Sequence, residues 1–179
     1  GQKQWDPALA QFAKLAAMTK SELRDRALYE SAWAEKMANR LPKAIVHYKA
    51  LLSGFPQSEL LEASTFELAE LEFEAAEKGE AAQYDAAIKR LTGLVAKTKN
   101  PSLLSEAHFK LGWCHFNKKA FDLAAKSFET VLAGQPAKEI ILPAAYQAGE
   151  ARLERKEFKE AMANYQKAFA ADPSDKTLH

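Results

Sequence analysis

Residues 105–138, SEAHFKLGWCHFNKKAFDLAAKSFETVLAGQPAK, and residues 142–175, LPAAYQAGEARLERKEFKEAMANYQKAFAADPSD, align without a gap. Gly112 falls on Gly149, Phe109 on Tyr146, Phe121 on Phe158, Ala124 on Ala161, Phe128 on Tyr165 and Pro136 on Pro173, each 37 residues apart. A chain with an internal period of this length folds as stacked copies of one supersecondary unit, each burying its apolar face against the next. Upstream, Ala87 stands 37 residues before Ala124, and Ala44 stands 43 before Ala87. Ala32, Ala69 and Gly112 follow the same spacing of 37 and then 43. The six additional residues lie between Ala69 and Ala87, around EKGEAAQ (77–83). They form either a longer turn or an extension of the flanking helices.

Each unit reads as two amphipathic helices. In the third copy His108, Leu111, Gly112 and His115 recur at helical spacing, as do Ala124, Phe128 and Val131. Lys118–Lys119 separates the two patterns as a turn. Pro136 ends the second, because proline lacks an amide donor and disfavours a helical residue before it. Ala, Leu, Lys and Glu dominate the composition and runs of Val, Ile and Thr are absent, so the fold class is all-α. A mid-helix glycine such as Gly112 costs about 1 kcal/mol against alanine. The repeat suggests an offset: Ala32, Ala69, Gly112 and Gly149 are all small, as are Ala44, Ala87, Ala124 and Ala161 in the second helices. A close approach of the two helices at this slot explains both sets, and Gly112→Leu then overpacks it by about 1–3 kcal/mol. The isolated glycines Gly54 and Gly134 fall at second-helix ends, where C-terminal caps are expected.

The pattern His108-x-x-Leu111-Gly112-x-x-His115, then Ala124-x-x-x-Phe128, then Pro136 resembles the tetratricopeptide repeat (TPR) family. Four copies are expected, at 25–58, 62–101, 105–138 and 142–175. A leading helix over 5–20 has Trp5, Ala8 and Phe12 in the Phe121, Ala124 and Phe128 slots. The resemblance implies one domain over 1–179, a right-handed TPR superhelix, or α-solenoid, of about four helix-turn-helix repeats. The 37-residue period and the junction FPQSELLEAS are similar to repeats of bacterial cell-envelope TPR proteins of the Tol-Pal coordinator type, which implies a periplasmic or envelope setting. The leading helix lacks a first-helix partner and no polar capping helix follows Pro173. The chain therefore reads as a segment of a longer protein, or as one whose ends, Trp5–Phe12 and Phe158–Phe169, self-associate. It begins GQKQW without Met, so a targeting segment before it is compatible with the sequence.

The resemblance further implies that the first helices line a concave groove. Its residues lie three before the small slot and one, four and five after it: Tyr29, Phe66, Phe109 and Tyr146; Trp33, Glu70, Trp113 and Glu150; Lys36, Phe73, Phe116 and Leu153; Met37, Glu74, Asn117 and Glu154. Aromatic side chains so placed can anchor a partner's peptide or helix, or pack between adjacent repeats. Trp33 and Trp113 are read as ligand contacts. Segment 59–101 holds nine acidic and five basic residues. Glu67, Glu70 and Glu74 share one helix face beside Phe66 and Phe73, a patch suited to a basic, partly apolar peptide, or else a solvated face built of good helix formers. The family's C-terminal carboxylate clamp is not expected, since aromatics and glutamates stand at its places.

The net charge of +1 gives no footprint of a nucleic-acid binder. No apolar run approaches the ~20 residues that span a bilayer, so direct membrane insertion is not expected. Cys114 is the only cysteine, which excludes an internal disulfide. His108, Cys114 and His115 lie close in sequence, yet His108 and His115 share the hairpin face and Cys114 points elsewhere, so a core role is expected for them. No catalytic, cofactor or metal site is indicated. The expected function is a non-enzymatic protein-interaction scaffold, with a structural spacer or oligomerisation segment as the alternative.

Overall fold

The computed structural model describes residues 5–18, 22–134 and 136–171. Nine α-helices account for most of these, and no strand occurs among the described residues: α1 (Asp6–Ala17), α2 (Arg24–Met37), α3 (Leu41–Gly54), α4 (Leu61–Glu77), α5 (Gln83–Val95), α6 (Pro101–Asn117), α7 (Phe121–Ala133), α8 (Lys138–Glu154) and α9 (Phe158–Ala171). Pro173 and the remaining ends of the expected leading helix (19–20) and last repeat (172–175) lie outside the described residues. The chain divides into two compact units, Gly1–Lys78 with α1 to α4 and Gly79–His179 with α5 to α9.

The division falls in the stretch that carries the six additional residues. These are shared three ways. Helix α4 runs three residues further past its small slot than α2, α6 and α8, the following turn is two residues longer, and α5 starts one residue earlier than α3, α7 and α9 relative to its alanine. Both sequence alternatives, a longer turn and longer helices, are therefore partly realised.

In the first unit α2 packs on α1 and α3, and α3 on α4. Ala32, Ala44, Tyr48, Leu68 and Leu71 form the buried cluster, with Tyr29, Leu41, Ile45 and Leu52 against it. In the second unit α6 lies against α5 and α7, and α8 against α7 and α9. Its cluster comprises Ala124, Ala125, Phe128, Val131, Ala144, Ala148 and Ala151. A first helix sandwiched between two second helices buries residues on more than one side. Alanine dominates there because two neighbours must approach closely.

The small slot is filled in a specific way. A Cβ built on Gly112 would lie 2.5 Å from Phe128 Cε1, and one on Gly149 would lie 2.5 Å from Tyr165 Cε1. The second helix thus lays an aromatic ring, four residues beyond its alanine, onto the glycine of the first. Sequence spacing located the close approach. The group that makes it is the ring of Phe128 or Tyr165.

The turns from first to second helix close identically in three repeats. Asn39, Lys119 and Lys156 take positive φ (57°, 59° and 63°). The next amides reach back to close the helix: Arg40 N to Glu35 O, Ala120 N to His115 O and Glu157 N to Arg152 O, at 2.8, 2.8 and 3.0 Å. This is the Schellman arrangement, which satisfies orphan helix carbonyls. Gly79 is the one described glycine with positive φ, at 114°. Gly54 and Gly134 stand at second-helix ends as expected: Gly134 is the C-cap of α7, in an extended rather than a left-handed conformation, and Gly54 is the last residue of α3, one before its cap Phe55. Second helices end where a junction begins, and that path needs no left-handed residue.

The start of α6 is fixed by Asn100, whose side-chain oxygen accepts from Ser102 N (3.1 Å) and Leu103 N (3.3 Å), with Pro101 at the first helical position.

Candidate functional site

The expected groove residues fall into both units and are built from first helices. In the first unit, Tyr29 lies edge-on to Tyr48, with ring centroids 5.9 Å apart. In the second, Phe109 lies likewise on Phe128 (5.6 Å) and Tyr146 is tilted against Tyr165 (5.7 Å). Three members of this aromatic row therefore pack within their own hairpins, each half-buried, with one edge left to solvent.

Trp113 sits in an aromatic cluster, perpendicular to Phe109 and Phe128 at 6.4 and 6.0 Å and 6.2 Å from Phe116. Phe116 in turn contacts Phe121 at 5.3 Å. Trp113 is thus a half-buried wall of the second unit's core, held by three rings. Trp33 differs: it is 38% exposed, braced edge-on by Trp5 at 5.3 Å, with Met37 one turn on at 48% exposed. Phe73 is buried, at 8%, and offers a partner almost no surface. Phe66 is half-buried.

The carboxylates expected to form an acidic patch are paired within the chain. Lys36 Nζ of α2 lies 2.7 Å from Glu67 Oε2 and 3.5 Å from Glu70 Oε2 on α4, and all three side chains are less than one-third exposed. Burial alone would lower the Lys36 pKa, but the Glu67 hydrogen bond and the two carboxylate charges raise it above the usual lysine value. Glu74 pairs with Lys78 at 2.6 Å, one turn along α4. Glu150 accepts a hydrogen bond from the Tyr165 hydroxyl at 2.6 Å. Burial and this bond push the Tyr165 pKa up, and the Glu150 charge, with burial, raises that of Tyr146.

A network missing from the sequence expectations ties the last three helices. Arg152 of α8 makes two bonds to Glu129 of α7 (2.9 and 2.6 Å) and one to Glu157 (2.8 Å), while Asn164 of α9 donates to Glu129 at 3.0 Å. Asn164 is buried. Its sequence signal was an Asn on the apolar face of α9, where only a hydrogen-bonded polar group is tolerated.

His108 and His115 are half-buried, and burial lowers the pKa of both; Cys114 is a buried thiol. Among the described residues no group of His, Cys, Asp and Glu could hold a metal ion, and no helix is long and apolar enough to cross a membrane.

Comparison with known proteins places this architecture. The solved structures it resembles include MamA from Desulfovibrio magneticus RS-1, with a TM-score of 0.73 at 14% identity over 96% of this chain and 88% of that one. Another is YrrB, described as a TPR protein with an unusual peptide-binding site, with a TM-score of 0.75 at 20% identity over 98% of this chain and 81% of that one. A thermophilic TPR protein of Thermus thermophilus matches at 0.61 and 21% identity, over 98% and 87%. At such identities the likeness shows the all-α helical repeat fold. No curated protein sequence matches. Two family models, each described as tetratricopeptide repeat, match residues 26–58 and 74–139, together more than half of the chain. The chain belongs to the tetratricopeptide repeat family.

Proposed function

We propose that the protein is a non-enzymatic scaffold that binds a partner peptide or helix on the faces of its first helices, with the leading helix and four repeats acting as one domain. The observation that carries this reading is the placement of aromatic side chains. Tyr29, Trp33, Phe109, Trp113, Phe116 and Tyr146 are each held against a neighbouring ring yet keep part of their surface open. Rings fixed in this way lose little conformational freedom on binding, which makes them efficient anchors. YrrB, a structure of the same fold, is described by its peptide-binding site. Phe66, Glu67, Glu70, Phe73 and Glu74 in the first unit and Glu150 in the second complete the proposed faces, with Phe73 almost wholly buried. The resemblance to cell-envelope repeats is the ground for placing the partner in the bacterial envelope.

A second reading, self-association, is favoured by α9. Its Phe158, Met162 and Phe169 are 63%, 61% and 41% exposed. The corresponding residues of α7, Phe121, Ala125 and Leu132, are buried or half-buried. A row of large apolar side chains at this exposure marks a surface made to be covered.

The test is capture of a partner from lysate, its identification by mass spectrometry and calorimetric titration of the purified pair. Wild type is compared with Trp113→Ala, Tyr146→Ala and Met162→Glu after all have been shown to fold. The scaffold reading expects the first two to weaken binding at least about tenfold and Met162→Glu to leave it unchanged. Binding lost only with Met162→Glu, together with a mass that rises with concentration in wild type alone, establishes self-association instead.

A further inference from the structure

Resting on that scaffold reading, we infer that Lys36 sets the partner chemistry of the α2–α4 face, selecting an uncharged, apolar segment over a basic one. The sequence places three glutamates on α4, which by themselves would attract a basic peptide. In the structure the place such a peptide's ammonium would take, between Glu67 and Glu70, is already filled by the Lys36 ammonium at 2.7 and 3.5 Å. Glu74, the third, is matched by Lys78. A basic side chain arriving here would have to displace Lys36 from a site where its side chain is only 23% exposed. Beside the occupied pair stand Trp33 and Met37, at 38% and 48% exposure, on the same helix and within one turn of Lys36. The cation site is therefore taken, the three glutamates and two lysines leave a single negative charge, and the exposed side chains beside them are apolar. With the place between Glu67 and Glu70 filled, the anchor this face offers a partner is apolar.

The test uses the whole chain and two labelled helical peptides that share a leucine face and differ only in carrying four Lys or four Gln on the other positions. Binding is read by fluorescence anisotropy at low salt. Wild type is expected to bind the Gln peptide at least as well as the Lys peptide. Lys36→Met opens the carboxylate pair and is expected to turn the preference toward the Lys peptide by about fivefold, the scale of an ion pair at a partly exposed site. Adding Glu67→Gln and Glu70→Gln removes that gain, and high salt suppresses it. Lys36→Arg keeps the cation and the wild-type preference, which guards against a merely destabilised Lys36→Met. The inference is overturned if wild type already prefers the Lys peptide, if Lys36→Met leaves the ratio unchanged, or if neither peptide binds either protein. Partner capture through Trp113 and Tyr146 does not involve Lys36, so failure here and failure of the scaffold reading are separate results.

Discussion

The same substitution, glycine to alanine inside a helix, is expected to have opposite signs at two positions of the second unit. Gly93 lies on the exposed side of α5, and a Cβ there meets nothing within 4 Å. Gly93→Ala therefore collects the helix-propensity gain, about 1 kcal/mol. Gly112 makes the same local gain, but its new Cβ would lie 2.5, 2.6 and 2.7 Å from Cε1, Cζ and Cδ1 of Phe128. Ordinary van der Waals contact begins near 3.4 Å, so the ring must retreat by roughly 1 Å. It has no free space to enter: Phe128 is fully buried, with Phe109 and Trp113 edge-on at 5.6 and 6.0 Å. Overpacking of this kind costs about 1–3 kcal/mol. Because propensity cancels between the two variants, the gap between Gly93→Ala and Gly112→Ala measures the overpacking alone. Urea unfolding followed by circular dichroism and by tryptophan fluorescence gives both stabilities. For a chain of this size each kcal/mol also moves Tm by about 2–4 °C. Phe128→Leu should restore room, so that the two changes couple favourably in a double-mutant cycle. Equal stability of Gly112→Ala and Gly93→Ala would refute the account of why the repeat keeps a glycine in that slot.

Three further substitutions test polar groups within the packing. The Tyr48 hydroxyl is buried without a hydrogen-bond partner among the described residues, so Tyr48→Phe is expected to leave stability unchanged or raise it by up to about 1 kcal/mol; Tyr165→Phe loses its bond to Glu150 and about 0.5–1.5 kcal/mol, both read from urea midpoints. Burial by itself would raise the Glu129 pKa, but the bonds from Arg152 and Asn164 and the Arg152 charge bring it below its ordinary 4.5. A carboxylate with a depressed folded pKa contributes fully above the unfolded value and loses that contribution as pH falls through the folded one. Glu129→Gln should accordingly be weaker than wild type at pH 7 by about 1–2 kcal/mol and draw level with it on acidification below pH ~4.5, whereas parallel stability curves would show that the pair does not titrate with folding.

Much of the fold was legible because a repeat repeats its chemistry. The spacing of Ala32, Ala69, Gly112 and Gly149 marked every first helix, but Tyr29, Phe109 and Tyr146, read as ligand anchors or as packing between adjacent repeats, lean on rings of their own hairpins. The left-handed turns were hidden for a physical reason. Asn39 is a residue type that tolerates positive φ, but Lys119 and Lys156 are not, and a left-handed residue with a side chain costs roughly 1–2 kcal/mol. The closing hydrogen bonds to Glu35, His115 and Arg152 carbonyls hold these residues there, and backbone bonds leave no trace in residue identity.

The site was less legible than the fold, because its electrostatics are set by pairs across repeats. Lys36 and Glu67 are 31 residues apart, and Arg152 and Glu129 are 23 apart. A helix-face inspection sees Glu67, Glu70 and Glu74 together and infers an acidic surface, since only partners three or four residues away are visible to it. Laying the repeats over one another brings the missing partner into view: Lys36 stands four residues past the small slot of one repeat, while Glu67 and Glu70 flank the slot of the next. Opposite charges offset in this way by about one period are neighbours in a stack. Their sum, not the charge of a single helix, is what a partner meets. That is why the acidic reading of α4 shrinks to a single uncompensated charge once Lys36 and Lys78 are counted against Glu67, Glu70 and Glu74.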